Sequence, residues 1–141
     1  MLKRFYFLLL CCTALAACSR NDDSTTSKST ADWAKVGETD GYAYYADHAS
    51  IRKADETVTM SDLFDYKTAR SEGGGAPALS KTTERGYDCQ NQKSQAIKTT
   101  WHTGQMGTGA VVRSNKDSDQ LTPVMAGSAT AALMKIACNN P

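Results

Sequence analysis

Three glycines within six residues, Gly104-Gln105-Met106-Gly107-Thr108-Gly109, are the first place where this chain could do chemistry. A bare backbone lets phosphate oxygens reach its N–H groups, which is how glycine-rich loops cradle nucleotides. A P-loop requires G-x-x-x-x-G-K-[ST], whereas Gly104 and Gly109 are followed by Ala110-Val111, with no lysine or hydroxyl in place. A dinucleotide fingerprint runs G-x-G-x-x-G into a helix; the order here is reversed and β-branched residues follow. Glycines between two extended stretches instead predict a hairpin turn, in which glycine supplies positive φ at no steric cost. His48 and His102 are the only histidines. His102 falls on the polar face of a strand and His48 in a loop after Asp47, so both read as satisfied or solvent-facing rather than as haem or metal ligands. No close pairing of cysteines and histidines offers a zinc site. Asp62 and Asp65 lie on extended sequence and point to opposite faces, so they form no carboxylate pair. No Ser-His-Asp order or reactive-cysteine setting stands out, and the chain reads as a non-enzyme without a catalytic site, metal or cofactor of its own.

The cysteines carry more information. The N-terminal segment 1–17 begins with Lys3 and Arg4, continues as an apolar run of 13 residues from Phe5 to Ala17 and ends on small residues. This is the pattern of a secretory signal peptide, and it is shorter than the ~20 residues of a membrane-spanning helix. Leu15-Ala16-Ala17-Cys18 resembles a bacterial lipobox, which makes Cys18 the expected lipidation site; ordinary secretory cleavage with an incidental Cys18 is the alternative. Several acyl chains on one residue anchor a protein durably, at ~0.8 kcal/mol per buried CH₂. Ser19, by resemblance to enterobacterial lipoproteins, favours the outer membrane over the inner. Residues 18–31 form a polar stretch with no aromatic side chain and read as a flexible tether.

Removing Lys3 and Arg4 from 16 basic side chains leaves 14 against 15 acidic ones, a balance that speaks against a nucleic-acid partner. Residues 32–141 suffice for one small domain with one core. Cys11 and Cys12 leave with the signal segment, so Cys89 and Cys138 remain as an even pair in an oxidising compartment. A disulfide between them is expected, with two buried free thiols as the alternative.

The elements that would position these residues read mostly as short strands. Tyr42, Tyr44 and Ala46 alternate with Ala43, Tyr45 and Asp47. From Thr57 to about Lys67, Val58, Met60, Phe64 and Tyr66 share one face, while Asp62 interrupts that face and Leu63 interrupts the polar one. Residues 71–77 (SEGGGAP) read as a flexible loop. Strands follow over 79–89, around Ile97 and Trp101, and over Ala110–Arg113. The stretch from Ser80 to Lys98 sets Lys81, Arg85, Lys93 and Lys98 against Glu84 and Asp88; it reads as a solvated sheet face, with a shallow protein- or glycan-binding surface as the alternative. Ser128 then caps a helix whose apolar stripe is Ala129, Leu133, Ile136 and Ala137, ended by Asn139 or Asn140 in the left-handed conformation. The expected fold is α+β: a single small domain, an antiparallel β-sheet with a C-terminal helix packed on it, tied by one disulfide.

Several of these pieces occur together in a known order. Trp33 to Val36, Tyr45-Ala46-Asp47, Ser50-Ile51-Arg52 and Val58-x-Met60-x-x-Leu63-x-Asp65-Tyr66 are followed by Tyr87-Asp88-Cys89 and Met106-Gly107-Thr108-Gly109. Pro123-Val124, Gly127-Ser128 and Leu133 to Cys138 complete the series. The pattern resembles the surface-adhesin protein E family of proteobacterial lipoproteins, departing from it at Ser61, Leu121 and Ala126. The resemblance implies an outer-membrane lipoprotein, dimerisation, adhesion to host matrix proteins such as vitronectin and laminin, and haem binding. It assigns no ligand-binding residues. Three functions therefore compete: an adhesin, an envelope inhibitor of the lysozyme-inhibitor kind, and a structural lipoprotein facing the periplasm. For an inhibitor, the 71–77 loop lacks an obvious histidine or arginine to insert, beyond Arg70.

Overall fold

A computed structural model describes residues 31–116 and 120–139; the expected signal segment, Cys18 and nearly all of the tether lie outside the described residues. Seven strands form one sheet: β1 (Trp33–Glu38), β2 (Tyr42–Ala54), β3 (Thr57–Arg70), β4 (Ala78–Asp88), β5 (Lys93–His102), β6 (Val111–Lys116) and β7 (Thr122–Pro123). The first six follow one another across the sheet as an antiparallel meander, and β7 pairs with the start of β5. A single α-helix among the described residues, α1 (Ala129–Cys138), follows the sheet.

β3 extends the strand expected from Thr57 to about Lys67 as far as Arg70, whereas β2 runs to 13 residues, so the expectation of a short strand is corrected there. The cause is a bulge. Pairing between β2 and β3 slips between Asp47 and Arg52, which breaks the alternation from which the strand would be read. Side chains hold the slip: Asp47 Oδ1 accepts from the Ala49 N–H at 3.1 Å, and Ser50 Oγ donates to the Asp47 carbonyl at 2.7 Å and accepts from the Ser61 N–H at 2.8 Å. His48, expected in a loop, lies inside β2 at this bulge.

α1 forms as its sequence suggests. Ser128 accepts from the Ala131 N–H at 3.1 Å, satisfying one of the orphan donors of the first turn. The apolar stripe presses Leu133 and Ala137, both fully buried, onto Ala46, Val58, Met60 and Tyr87. Of the two residues expected to end the helix, Asn139 has φ −93°, not a left-handed value, and its N–H closes onto the Lys135 carbonyl at 3.1 Å. Asn140 lies outside the described residues. Cys138, the last residue of α1, is joined by a disulfide to Cys89, just beyond β4. The helix is thereby tied to the sheet at the end where the core lies.

The two residues that interrupt the alternation of β3 each have a partner. Asp62 faces the α1 side with no exposure and pairs with Arg85 of β4, Nε to Oδ2 at 2.8 Å. Leu63 faces the opposite side and is equally buried, beneath the 104–109 segment.

Candidate functional site

The sheet face opposite α1 is built from cross-strand neighbours. Register places Trp33 beside Asp47, Asp47 beside Ser61, Ser61 beside Glu84 and Glu84 beside Lys98, one row across five strands. Thr82 and Thr100 form the next row, and Ser80 and His102 the one beyond. All of these but the fully buried Ser80 line a depression of about 300 Å3, which Ala31 and Gly107 complete.

The segment that carries Gly107 is the glycine-rich one. It joins β5 to β6 as expected, with the Thr103 N–H on the Ala110 carbonyl at 2.9 Å and the Gly104 N–H on the Thr108 carbonyl at 3.0 Å. It also folds back over the sheet, because Ser80 Oγ donates to the Gly104 carbonyl at 2.6 Å and accepts from the Gly107 N–H at 2.9 Å. Asp65 Oδ1 accepts from the Met106 N–H at 2.7 Å. Gly107 has φ +71°, which favours glycine, and a Cβ there would press on the methyls of Thr82 at 3.2 Å and Leu63 at 3.3 Å. Ser80 is fully buried. Ser80→Ala leaves the part-buried Gly104 carbonyl and the buried Gly107 N–H unpaired, and is expected to cost about 1–3 kcal/mol in urea unfolding; an unchanged midpoint would show that the segment is not held this way.

Two polar side chains in the depression are almost inaccessible, Asp47 at 8% and His102 at 7% exposure. His102 Nε2 lies 3.3 Å from Thr82 Oγ1, while its Nδ1 has no hydrogen-bond partner. Burial pushes the imidazole pKa down, favouring the neutral ring. The expectation of a satisfied or solvent-facing His102 is therefore corrected: it is on the polar face, but buried and half satisfied.

On the α1 side, the sheet beyond the helix carries an aromatic shelf flanked by cations. Tyr42 and Phe64 lie 5.2 Å apart, Arg70 sits over Tyr66 and Tyr42, Lys81 over Phe64, and Arg113 over Trp101 at 3.7 Å. Glu72 organises one edge of it. Its carboxylate accepts from the Tyr66 hydroxyl at 2.7 Å, from Lys81 at 3.0 Å and from the Trp101 indole at 3.2 Å, and Arg113 donates to its carbonyl. The 71–77 loop, expected to be flexible, is in this way fastened to β3, β4, β5 and β6.

Burial acts to raise the Glu72 carboxyl pKa, but hydrogen bonds from Tyr66, Lys81 and Trp101 outweigh it and hold the group below its ordinary 4.5. A depressed folded value contributes stability that is complete above the unfolded value and is lost as pH falls through the folded one. Acid titration of tryptophan emission should therefore show a local transition below the ordinary carboxylate range as Glu72 is protonated and the Trp101 contact loosens. Glu72→Gln should remove that transition; its persistence in the variant would assign it elsewhere.

The charged stretch from Ser80 to Lys98 does not form a single face. β4 alternates, sending Lys81 and Arg85 to the α1 side, into pairs with Glu72 and Asp62, and Glu84 to the opposite side with Lys98. Asp62 and Asp65 point to opposite faces, as their spacing implies. His48 is exposed beside Lys135, Ile136 and Asn139, remote from His102. Among the described residues no group of three or more His, Cys, Asp or Glu side chains is placed to hold a metal ion. No described helix is long and apolar enough to cross a membrane. Glu72 was not singled out by sequence, and of the Trp33–Lys98 row only Glu84 and Lys98 were, within the charged stretch whose alternative reading is a protein- or glycan-binding surface.

The fold has solved relatives. A selenomethionine form of Haemophilus influenzae protein E aligns with a TM-score of 0.56 at 16% identity, covering 74% of this chain and 91% of that one. A second crystal form of the same protein gives 0.57 at 16% identity, covering 73% and 91%. Protein E from non-typeable Haemophilus influenzae gives 0.53 at 15% identity, covering 76% and 84%. At such identities the likeness is one of fold. No curated protein sequence matches the chain. The model of the family described as Surface-adhesin protein E matches residues 33–139, from the first residue of β1 to the residue after α1. The chain belongs to the surface-adhesin protein E family.

Proposed function

We propose that this chain is a non-enzymatic outer-membrane lipoprotein, anchored through Cys18, whose domain binds extracellular protein as an adhesin does. The observation that supports the reading most is family membership across the whole described domain. The geometry is in keeping with it. The side chains that stand out lie on two broad sheet surfaces, not around a nucleophile, base or metal, and broad surfaces suit recognition better than turnover. Vitronectin and laminin are the partners to test first.

Haem fits the described histidines poorly. A porphyrin needs an apolar slit with an axial ligand, whereas His48 stands in the open on β2 and His102 faces Thr82 beneath the 104–109 segment. An inhibitor would need a protruding loop, and the 71–77 loop is fastened down by Glu72 instead. Dimerisation stays an expectation of the family; β1 and β6 are the two edges the six-stranded meander offers it.

The purified chain is expected to bind immobilised vitronectin or laminin saturably at micromolar concentration, above an unrelated lipoprotein. Equal signal from the two proteins would refute the adhesin reading. Growth with labelled palmitate should label the wild-type chain and not Cys18→Ser; a wild-type chain that stays unlabelled would remove the anchor from the proposal.

A further inference from the structure

We infer that the depression opposite α1 is a saccharide-binding site, with the Trp33 ring taking the apolar face of a pyranose and Asp47, Ser61, Glu84 and Thr100 taking its hydroxyl rim. A pyranose offers a patch of C–H bonds on one face and alternating donors and acceptors around its edge. The depression offers the complement: one half-buried indole at the rim, short hydroxylated side chains on the floor, and carboxylates among them. From β1 to β5 it spans four inter-strand steps of ~4.8 Å, about 19 Å in all, the reach of a short oligosaccharide rather than of a single sugar.

Hydrogen-bonding capacity is left over at two points of this floor. Asp47 uses one carboxylate oxygen on the Ala49 N–H and has no described partner for the other. Glu84 lies directly across from Lys98, yet makes no ion pair among the described residues. A merely solvated sheet face would not bury Asp47 and His102 to more than nine-tenths.

Competing ligands fit less well. A phosphate backbone would meet Asp47 and Glu84 on the floor. A protein partner concentrates its binding energy in an apolar, fully desolvated centre, whereas the centre here is Ser61, Thr82 and Thr100. A metal ion lacks a ligand set among the described residues. The chemistry is the same whether the saccharide belongs to a host glycoprotein or to the bacterial envelope, so the inference does not depend on the adhesin reading.

The test uses the full chain in a sugar-free detergent, titrated with N-acetylchitotetraose as an envelope-type probe and with a released biantennary N-glycan as a host-type probe. Saturable binding of one probe is expected, with amide and indole NMR shifts at Trp33, Asp47, Glu84 and Thr100. The probe that saturates identifies the source. Trp33→Ala and Glu84→Gln should each weaken binding by about tenfold, near 1.4 kcal/mol. Glu84 is exposed, so Glu84→Gln remains informative if Trp33→Ala fails to fold. Saturation of neither probe at millimolar concentration, shifts confined to the α1 side, or wild-type affinity in Glu84→Gln would overturn the inference. Enzymatically deglycosylated vitronectin separates the two proposals: binding that survives deglycosylation leaves the adhesin standing without the saccharide.

Discussion

Replacing Cys89 and Cys138 by alanine is expected to lower the unfolding free energy by about 4 kcal/mol, the chain-entropy value for a closed loop of 49 residues. In a domain of this size that corresponds to a fall in Tm of about 20 °C. The effect should also have a location. α1 has 10 residues, too few to persist alone in water, and it covers Val58, Met60 and Tyr87. Loss of the tie should therefore expose that end of the core first, giving faster amide exchange in α1 and β2 than in the 104–109 segment. Urea unfolding with and without reductant measures the first part, and hydrogen exchange the second. Equal midpoints would mean that α1 is held by packing alone.

Arg85→Met should be comparably severe, at about 3–5 kcal/mol, because it leaves the Asp62 carboxylate in the core without its counter-charge. Asp62 has no solvent exposure and its Oδ1 already lacks a partner. Burial pushes its pKa up, against the opposing pull of Arg85, and without Arg85 the upward push is unopposed at close range. A folded pKa above the unfolded value gives stability that is present at low pH and lost as pH rises through the folded value. The variant should therefore become more stable relative to wild type on mild acidification. Adding Asp62→Leu to Arg85→Met should recover most of the loss, since an apolar pair requires no desolvation of charge. If the double variant is as unstable as the single, the cost lies in packing and not in the orphaned carboxylate.

Much of this architecture can be read in the sequence, and the reasons differ from element to element. Ser128 and the Leu133–Ala137 stripe define α1 because cap and period agree locally. The 104–109 turn is legible because glycines between extended runs have few uses once a P-loop is excluded. β2 is only half legible: the Asp47–Ser50 hydrogen bonds that create its bulge also destroy the alternation that reveals a strand. Asp62 and Leu63 look like errors of register in one dimension, and in three each faces a partner that arrives from elsewhere in the chain, Arg85 and the 104–109 segment.

The candidate site is less legible still. Each of five strands gives the central row one residue, from Trp33 to Lys98, and the spacings between them depend on turns and bulges rather than on any motif. Glu72 precedes three glycines and carries no sign that Tyr66, Lys81 and Trp101 will converge on it. Cys18 is the reverse case. Its proposed role rests on local sequence alone, and it lies outside the described residues.

Whole cells test anchoring and adhesion together. Intact bacteria expressing the wild-type chain are incubated with labelled vitronectin or laminin beside cells expressing Cys18→Ser, with equal amounts of protein exported. Wild-type cells are expected to retain label saturably and to lose it after protease shaving, while Cys18→Ser cells retain only background. Equal retention by both strains, with the domain intact after shaving, would contradict it.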